Sequence, residues 1–558
     1  MPIRLFTPDQ RCRVASSFRD PCWSHRLADG VAVISVCLFI FLAAYRIQFP
    51  GLYYDELVFA NAAQGAPDDT FIHLRLGRLP ILLMPYLGAL KAWIYIPIFH
   101  LFGASPLTIR LPAILIAAVT LLILYRAMRG SAGPAWAAII VCMMAVDPAN
   151  LFPSRLDWGP TVLMHFFQAS ILAVWFSYRK TQQLWKLVLI VGCFGLGFFD
   201  KFNFVWFLLA FAVGILLCYP DSVRTLWNSL PRFAGWLATI LIVVGLSVMA
   251  YLFVPLLFKL HPANVHTTGL TVKWHSLLST LSGQAVAGFI FGNASGIIPH
   301  VPFWLIIADG CLAFACLFFL TLNSVARENQ RNGFFCLLVG FLVFIQIAMT
   351  PQAGGPHHYS MIFPMPLLAF GFLAASLYPR IAIRTLQLAG AALFASAAMC
   401  IFVVNGHNTA VYLSHFRADS RYNPRWSPEI YALSNYINEH GFEVTRIISV
   451  DWGLHNQLHA LAPKKLRLRM RDFWPTFRKL TQKTQEQQGT IARRIFPQGT
   501  SFALTFVPSK ETFPETRQNF LASLSAHPEL KWRLAKEFWF DGEKIYELYE
   551  IFRSPPVD

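Results

Sequence analysis

The sequence predicts an α-helical polytopic membrane protein of about eleven spans, with a long first outside loop and a small C-terminal α/β outside domain. Three observations predict it. Of 558 residues, 56% are hydrophobic and 13% charged, roughly half the charge of a soluble domain. Apolar runs of about 17–25 residues, the length that crosses a hydrocarbon core, recur along the chain. Lysines and arginines gather in alternate connections between those runs. The 50 Phe and 16 Trp suit lipid-facing and interfacial surface.

A formal net charge of +17 raises nucleic acid as a partner, but no basic, aromatic-interleaved groove motif is present. The charge is instead assigned to span flanks that meet anionic lipid.

Residues 1–30 form a basic N-terminal segment with Arg11, Arg13, Arg19 and Arg26, and no small-x-small cleavage site follows. Spans are expected near 31–49, 104–126, 132–148, 160–177, 185–200, 202–219, 233–258, 301–322, 333–350, 359–378 and 383–404. Together, residues 31–404 make the membrane domain. One set of connections carries Arg126/Arg129, Arg179/Lys180/Lys186, Arg224/Arg232, Arg327/Arg331 and Arg380/Arg384. The positive-inside rule places that set and the N-terminus in the cytoplasm, which leaves residues 405–558 outside. All ten cysteines fall in the N-terminal segment or in apolar spans, so no disulfide framework is implied.

The first outside loop, 50–103, holds two helix-like pieces, 54–65 and 80–102. The second is apolar and is expected to lie in the membrane interface, because counting it as a span would break the charge pattern of every later loop. After residue 405 charges rise. Helices are expected at 427–440 and 512–525, and strands at 445–450, 502–507, 533–540 and 544–552, the last two joined as a hairpin at Asp541-Gly542.

Asp55 and Glu56 follow the first span, and carboxylates at a membrane edge cost free energy unless hydrated, paired or at work. Neighbours on a helix point about 100° apart, so the two cannot share one task. One is expected to act as a base while the other caps a helix or pairs with Arg75 or Arg78. A solvated acidic loop, or carboxylates favoured by a helix dipole, accounts for the same residues. Asp157, in Arg155-Leu156-Asp157-Trp158-Gly159-Pro160, is a second acid on that face, where an ordinary helix start is the plain alternative. Lys201, Lys273, His357 and His358 are cations or near-cations that could meet a phosphate. The adjacent histidines lack the spacing of a helical zinc pair. Asp309 is an intramembrane acid without an evident partner.

The order of these parts resembles the GT-C membrane glycosyltransferases, specifically the protein-mannosyltransferase and aminoarabinose-transferase group (glycosyltransferase family 39-like). The resemblance covers residues 30–380. It rests on Asp55-Glu56 and on the run from Leu101-Phe102-Gly103-Ala104-Ser105-Pro106 to Arg110-Leu111-Pro112. Ser154 to Pro160, Lys201, and the His357 to Pro366 stretch complete it. It implies a sugar-transferring enzyme that moves a hexosyl or pentosyl group from a polyprenyl-phosphate donor to a lipid, protein or glycan acceptor. Reaction would occur on the outer face of a bacterial inner membrane. Carried over, Asp55 is the catalytic acid with Glu56 beside it, and Asp157 the second acidic position. Lys201, with Arg78 or a histidine, meets the donor phosphate. His357 and His358 stand where relatives commonly carry an Arg-Tyr pair. Clustered outside carboxylates also suit a divalent cation, and the resemblance leaves metal dependence open. A transporter or flippase of lipid-linked sugars is the competing class; it requires paired ionisable residues near the midplane and inverted repeats. A scaffold whose outer domain binds a partner is the third.

Overall fold

The computed structural model describes residues 22–65, 72–229, 247, 269–292, 324–350, 353, 355–377, 384–417 and 422–554. Helix α1, Cys22–Ala44, buries Ala28, Ala32, Val36, Phe39 and Ala43. These recur every three or four positions and make one helical stripe. Val33, Ile34 and Phe41 on the other side are exposed, as lipid-facing residues of a span are.

The first loop folds into α2, Tyr54–Ala63, a small antiparallel sheet of β1, Leu74–Leu76, β2, Leu79–Met84, and β3, Leu87–Gly88, and then α3, Leu90–Phe102. The continuous helix expected over 80–102 is therefore corrected: its first third is strand. Periodicity cannot separate a short apolar strand from a buried helical turn. Pro85 and Gly88 break the run, and β1 supplies a partner through the turn at Gly77 (φ +61°).

Helix α4, Pro106–Arg129, starts at a capping box: Thr108 N donates to Ser105 Oγ at 3.2 Å, and Ser105 N to Thr108 Oγ1 at 2.8 Å. These reciprocal bonds satisfy amides left open at a helix start. Next come α5, Pro134–Val146, and α6, Pro148–Leu156, bent by 59°. Then follow α7, Val162–Thr181, α8, Trp185–Asp200, α9, Val205–Cys218, and α10, Pro220–Ser229. Lys201 and a short 3-10 turn, Phe202–Phe204, separate α8 from α9, as expected for the boundary between the fifth and sixth spans. Helices α11, Leu270–Leu281, and α12, Gln284–Phe291, precede α13, Ser324–Met349, α14, Pro356–Tyr359, α15, Met365–Leu377, and α16, Arg384–Ser414.

Among the described residues, five helical stretches are long and apolar enough to cross a membrane, or seven if each bent pair is one span. Apart from residue 247, the spans expected at 233–258 and 301–322, with Asp309, lie outside the described residues. Cys37, Cys142, Cys193, Cys218, Cys336 and Cys400 are free thiols.

The C-terminal region contains α17, Glu429–His440, β4, Arg446–Ser449, α18, Leu454–Leu461, α19, Lys464–Arg467, β5, Met470–Asp472, α20, Trp474–Arg478, α21, Gln485–Ile495, β6, Gly499–Phe506, α22, Pro514–Ala526, β7, Leu530–Phe540, and β8, Glu543–Arg553. The strands form one sheet ordered β5-β4-β6-β8-β7, parallel across β5-β4-β6 and antiparallel across β6-β8-β7. Strand residues point alternately to two cores. Ile447, Phe502 and Leu504 pack with α17 and α18. Ile448, Ala503 and Tyr549 pack with α20, α21 and α22.

Two buried arginines shape the chain between α1 and α2. Arg155 donates to the carbonyls of Ala43 (2.8 Å), Tyr45 (2.6 Å), Arg46 (2.6 Å) and Phe49 (2.5 Å). Arg110 donates to those of Ile47 (2.7 Å), Pro50 (2.8 Å) and Gly51 (3.1 Å). A span's last carbonyls lack helical partners, and here guanidinium groups supply them. Gly51 also donates to Trp426 O at 2.7 Å, and a Cβ there would meet Ser427 O at 2.2 Å, so only glycine fits.

Candidate active site

Asp55 is the second residue of α2, half-buried, and its surroundings come from distant parts of the chain. The backbone N–H of Gly159 is directed at its carboxylate, and the ammonium groups of Lys201 and Lys91 act on it. Burial outweighs both cations and pushes its carboxyl up to about 6. Among the described residues it closes no salt bridge, although other acids of this region do.

Lys201 is buried just beyond α8 and donates to Gly159 O. An isolated β-bridge between Leu87 and Lys201, with Phe202 N donating to Tyr86 O at 3.1 Å, fixes its backbone against the first loop. Burial lowers its ammonium to about 8, against the pull of Asp55, Asp200 and Asp157.

Glu56 is differently engaged. Arg110 Nε and Nη2 donate to its two oxygens at 2.9 and 2.7 Å, and Tyr53 N donates to Oε1 at 2.8 Å. Its partner is thus Arg110, not Arg75 or Arg78, and its carboxylate is committed to holding α2. An arginine at a span's first turn needs an acid, and that cost was the signal for Arg110.

Asp157 lies in the left-handed region (φ 45°), which Asp tolerates. Its Oδ1 accepts from Thr161 N and Val162 N, each at 2.9 Å, and its Oδ2 pairs with the buried Lys91. Gly159 follows at φ +66°, where an added Cβ would lie 2.4 Å from His357 Cβ. This contact brings the histidine pair to the cluster: the His357 and His358 rings are 4.1 Å apart. Lys201 lies within electrostatic reach of both. Trp158 stacks on Phe289 at 3.9 Å beside them.

The structure therefore gathers Asp55, Asp157, Lys201, His357 and His358, and sets Glu56 behind them. Arg78 stands exposed at the tip of the β1–β2 turn and is not brought into this buried cluster. Lys273 Nζ donates to Ile347 O (3.2 Å), Ala348 O (2.8 Å) and Thr350 O (2.8 Å), which ends α13.

Lys91 and Asp200 escaped sequence reasoning as site residues. Neither Asp200 oxygen meets a hydrogen-bond partner among the described residues. A lysine inside an apolar helix was the available signal for Lys91. The C-terminal region adds a wall: Trp452 stacks on Tyr54 at 4.6 Å, and Arg425 lies 5.9 Å from the Trp452 ring. Nothing local in the sequence announces that contact. Among the described residues no three His, Cys, Asp or Glu side chains are grouped to hold a metal ion.

A buried cluster whose carboxylates Asp55 and Asp200 close no salt bridge among the described residues, with a buried ammonium group and histidine nitrogens unpartnered there, can remove a proton from one reactant and hold an anionic leaving group on another. The family profile of dolichyl-phosphate-mannose-protein mannosyltransferases matches residues 88–247. No curated protein sequence matches. Among solved structures, apo ArnT from Cupriavidus metallidurans superposes with a TM-score of 0.53 at 14% identity, over 94% of this chain and 98% of that one. ArnT from the same organism bound to undecaprenyl phosphate gives 0.52 at 13%, over 93% and 98%. The apo Archaeoglobus fulgidus oligosaccharyltransferase gives 0.52 at 12%, over 87% and 70%.

Proposed function

The chain has the GT-C fold of membrane glycosyltransferases, and from that premise we propose that it transfers a glycosyl group from a polyprenyl-phosphate donor to an acceptor at the membrane face carrying α2. That face is the outer one if the N-terminus is cytoplasmic, as the basic connections indicate. Fold alone does not carry function. The observation that carries the reading is Asp55, a carboxylate that closes no salt bridge among the described residues and is lifted by burial to about 6 within reach of Lys201 and Lys91.

In the proposed step Asp55 takes the proton of the acceptor hydroxyl (or amine) as that atom bonds to the anomeric carbon. The bond from that carbon to the phosphate oxygen breaks, its electron pair leaves with the phosphate, and the centre inverts. A phosphate leaves without strong acid assistance, so one base and cationic stabilisation suffice, unlike a glycosidase with two carboxylates. Lys201 neutralises the departing phosphate, with His357 and His358 beside it. Lys91 and Asp157 hold each other and the start of α7, while Glu56 and Arg110 hold α2.

The test is sugar transfer by Asp55→Asn in membranes supplied with the lipid donor. Loss on the order of 10²-fold or more is expected for a general base. Activity within a few-fold of the parent protein, at equal abundance, overturns the assignment. Unimpaired movement of the lipid-linked sugar across the membrane without transfer would favour the flippase class instead.

A further inference from the structure

A second site lies at the other end of α2. Gln64 and Asp55 are nine residues apart, which along a helix is about 14 Å. Around Gln64 opens a cavity of about 350 Å³ lined by Phe99, Gly103, Ala104, Leu461, Pro463 and Arg467. Gly103 and Ala104 lie just ahead of Ser105, the cap of α4, so the cavity sits at the start of a helix long and apolar enough to cross a membrane. Leu101 and Phe102 beside it are 71% and 74% exposed. Large apolar side chains at that level belong in acyl chains rather than water.

The upper lip is basic. Lys464, Lys465, Arg467, Arg469 and Arg471 fall within eight residues, interrupted by Leu468, itself 57% exposed. The three arginines bond to neutral oxygens only: Arg467 to Gln64 Oε1, Arg469 to the carbonyls of Phe442 and Val444, and Arg471 to those of Leu468 and Met470. Lys464 and Lys465 are exposed. Among the described residues none of these three arginines closes a salt bridge, and the cluster stands over an apolar floor.

We propose that this cavity binds the headgroup of an anionic membrane phospholipid, with Arg467 and the two lysines on the phosphate and the acyl chains running down past Leu101 and Phe102. Cations above an apolar ledge match that amphiphile, whereas a free phosphate would leave the ledge uncovered. The site is independent of sugar transfer and requires no reading of the Asp55 cleft.

The experiment is native mass spectrometry of the full chain in detergent, titrated with phosphatidylglycerol, phosphatidylcholine or inorganic phosphate. The parent protein is expected to retain one more phosphatidylglycerol than the variant Lys464→Gln/Lys465→Gln/Arg467→Gln. Its affinity should fall roughly fivefold for each charge removed. Ala104→Trp, which fills the cavity and leaves every charge in place, is expected to lose the same lipid. Three outcomes would overturn the proposal: equal retention of phosphatidylglycerol and phosphatidylcholine, retention unchanged in both variants, or displacement of the lipid by inorganic phosphate.

Discussion

Arg110 and Glu56 form a buried two-pronged ion pair, with donor distances of 2.9 and 2.7 Å, that joins the first turn of α2 to the first turn of α4. The same guanidinium holds three carbonyls of the loop ahead of Asp55. Removing one member of a buried pair costs on the order of 3–5 kcal/mol. Arg110→Met is expected to lower the melting temperature and the yield of folded protein. Glu56→Gln, which leaves the Arg110 charge buried without an acid, is expected to lower the melting temperature too, while the protein that does fold retains far more transfer than Asp55→Asn. Equal losses in the two variants would erase the division of labour between these neighbours.

Under the proposed step the pH profile follows from two groups. Asp55 accepts a proton only when ionised, so with its carboxyl raised to about 6 activity rises as pH passes upward through that value. Lys201 stabilises phosphate only when charged, so with its ammonium lowered to about 8 activity falls as pH passes above that value. A bell between the two is expected for kcat/KM. Lys201→Arg, which cannot lose its charge, is expected to extend the alkaline limb while the acid limb stays. A profile flat from about pH 5 to 9 would contradict both assignments.

Gly159→Ala tests the histidine pair without touching a charge. Its positive φ and a Cβ 2.4 Å from His357 Cβ leave no room for a methyl group. Displacement of His357 and of the Lys201–Gly159 contact is expected, with loss of transfer exceeding the loss of thermal stability. Wild-type turnover in this variant would remove the pair from the site.

Trp452→Ala tests the wall contributed by the C-terminal region. An offset aromatic pair such as Trp452 and Tyr54, with centroids 4.6 Å apart, is worth about 1 kcal/mol. Hydrogen exchange is expected to accelerate in α2 and α18 together, with the β5-β4-β6-β8-β7 sheet unchanged. Acceleration confined to residue 452 and its immediate neighbours would show that the contact carries no coupling.

Much of the fold was legible because hydropathy and charge act locally. Helices appear at nine of the expected spans, and the hairpin at Asp541-Gly542 follows from its turn residues. The 80–102 segment was misread because six apolar residues suit strand and helix alike, and β1 decides between them. Within the site, Asp55 and Lys201 stood out as charges at span ends. Their placement around Gly159 did not, since residues 55, 91, 159, 201 and 357 meet only through helix packing. Glu56 shows the same limit: two adjacent acids look equivalent until Arg110, 54 positions away, selects one.

Helix α18 docks on α2 through bonds that span almost the whole chain. Asn61 Nδ2 reaches Asn456 O at 3.0 Å, Gln64 Nε2 reaches Ala460 O at 2.9 Å, and Gln457 Nε2 reaches Leu52 O at 2.5 Å. The separation in each case is about 400 residues. Contacts so distant in sequence close late in folding. During synthesis every span up to α16 leaves the ribosome before the helix that seats α2 exists. A ribosome-bound intermediate that has inserted the helices up to α16 therefore still lacks the helix against which α2 is seated, and under the proposed role of Asp55 its base is positioned only once residues 454–461 have been translated.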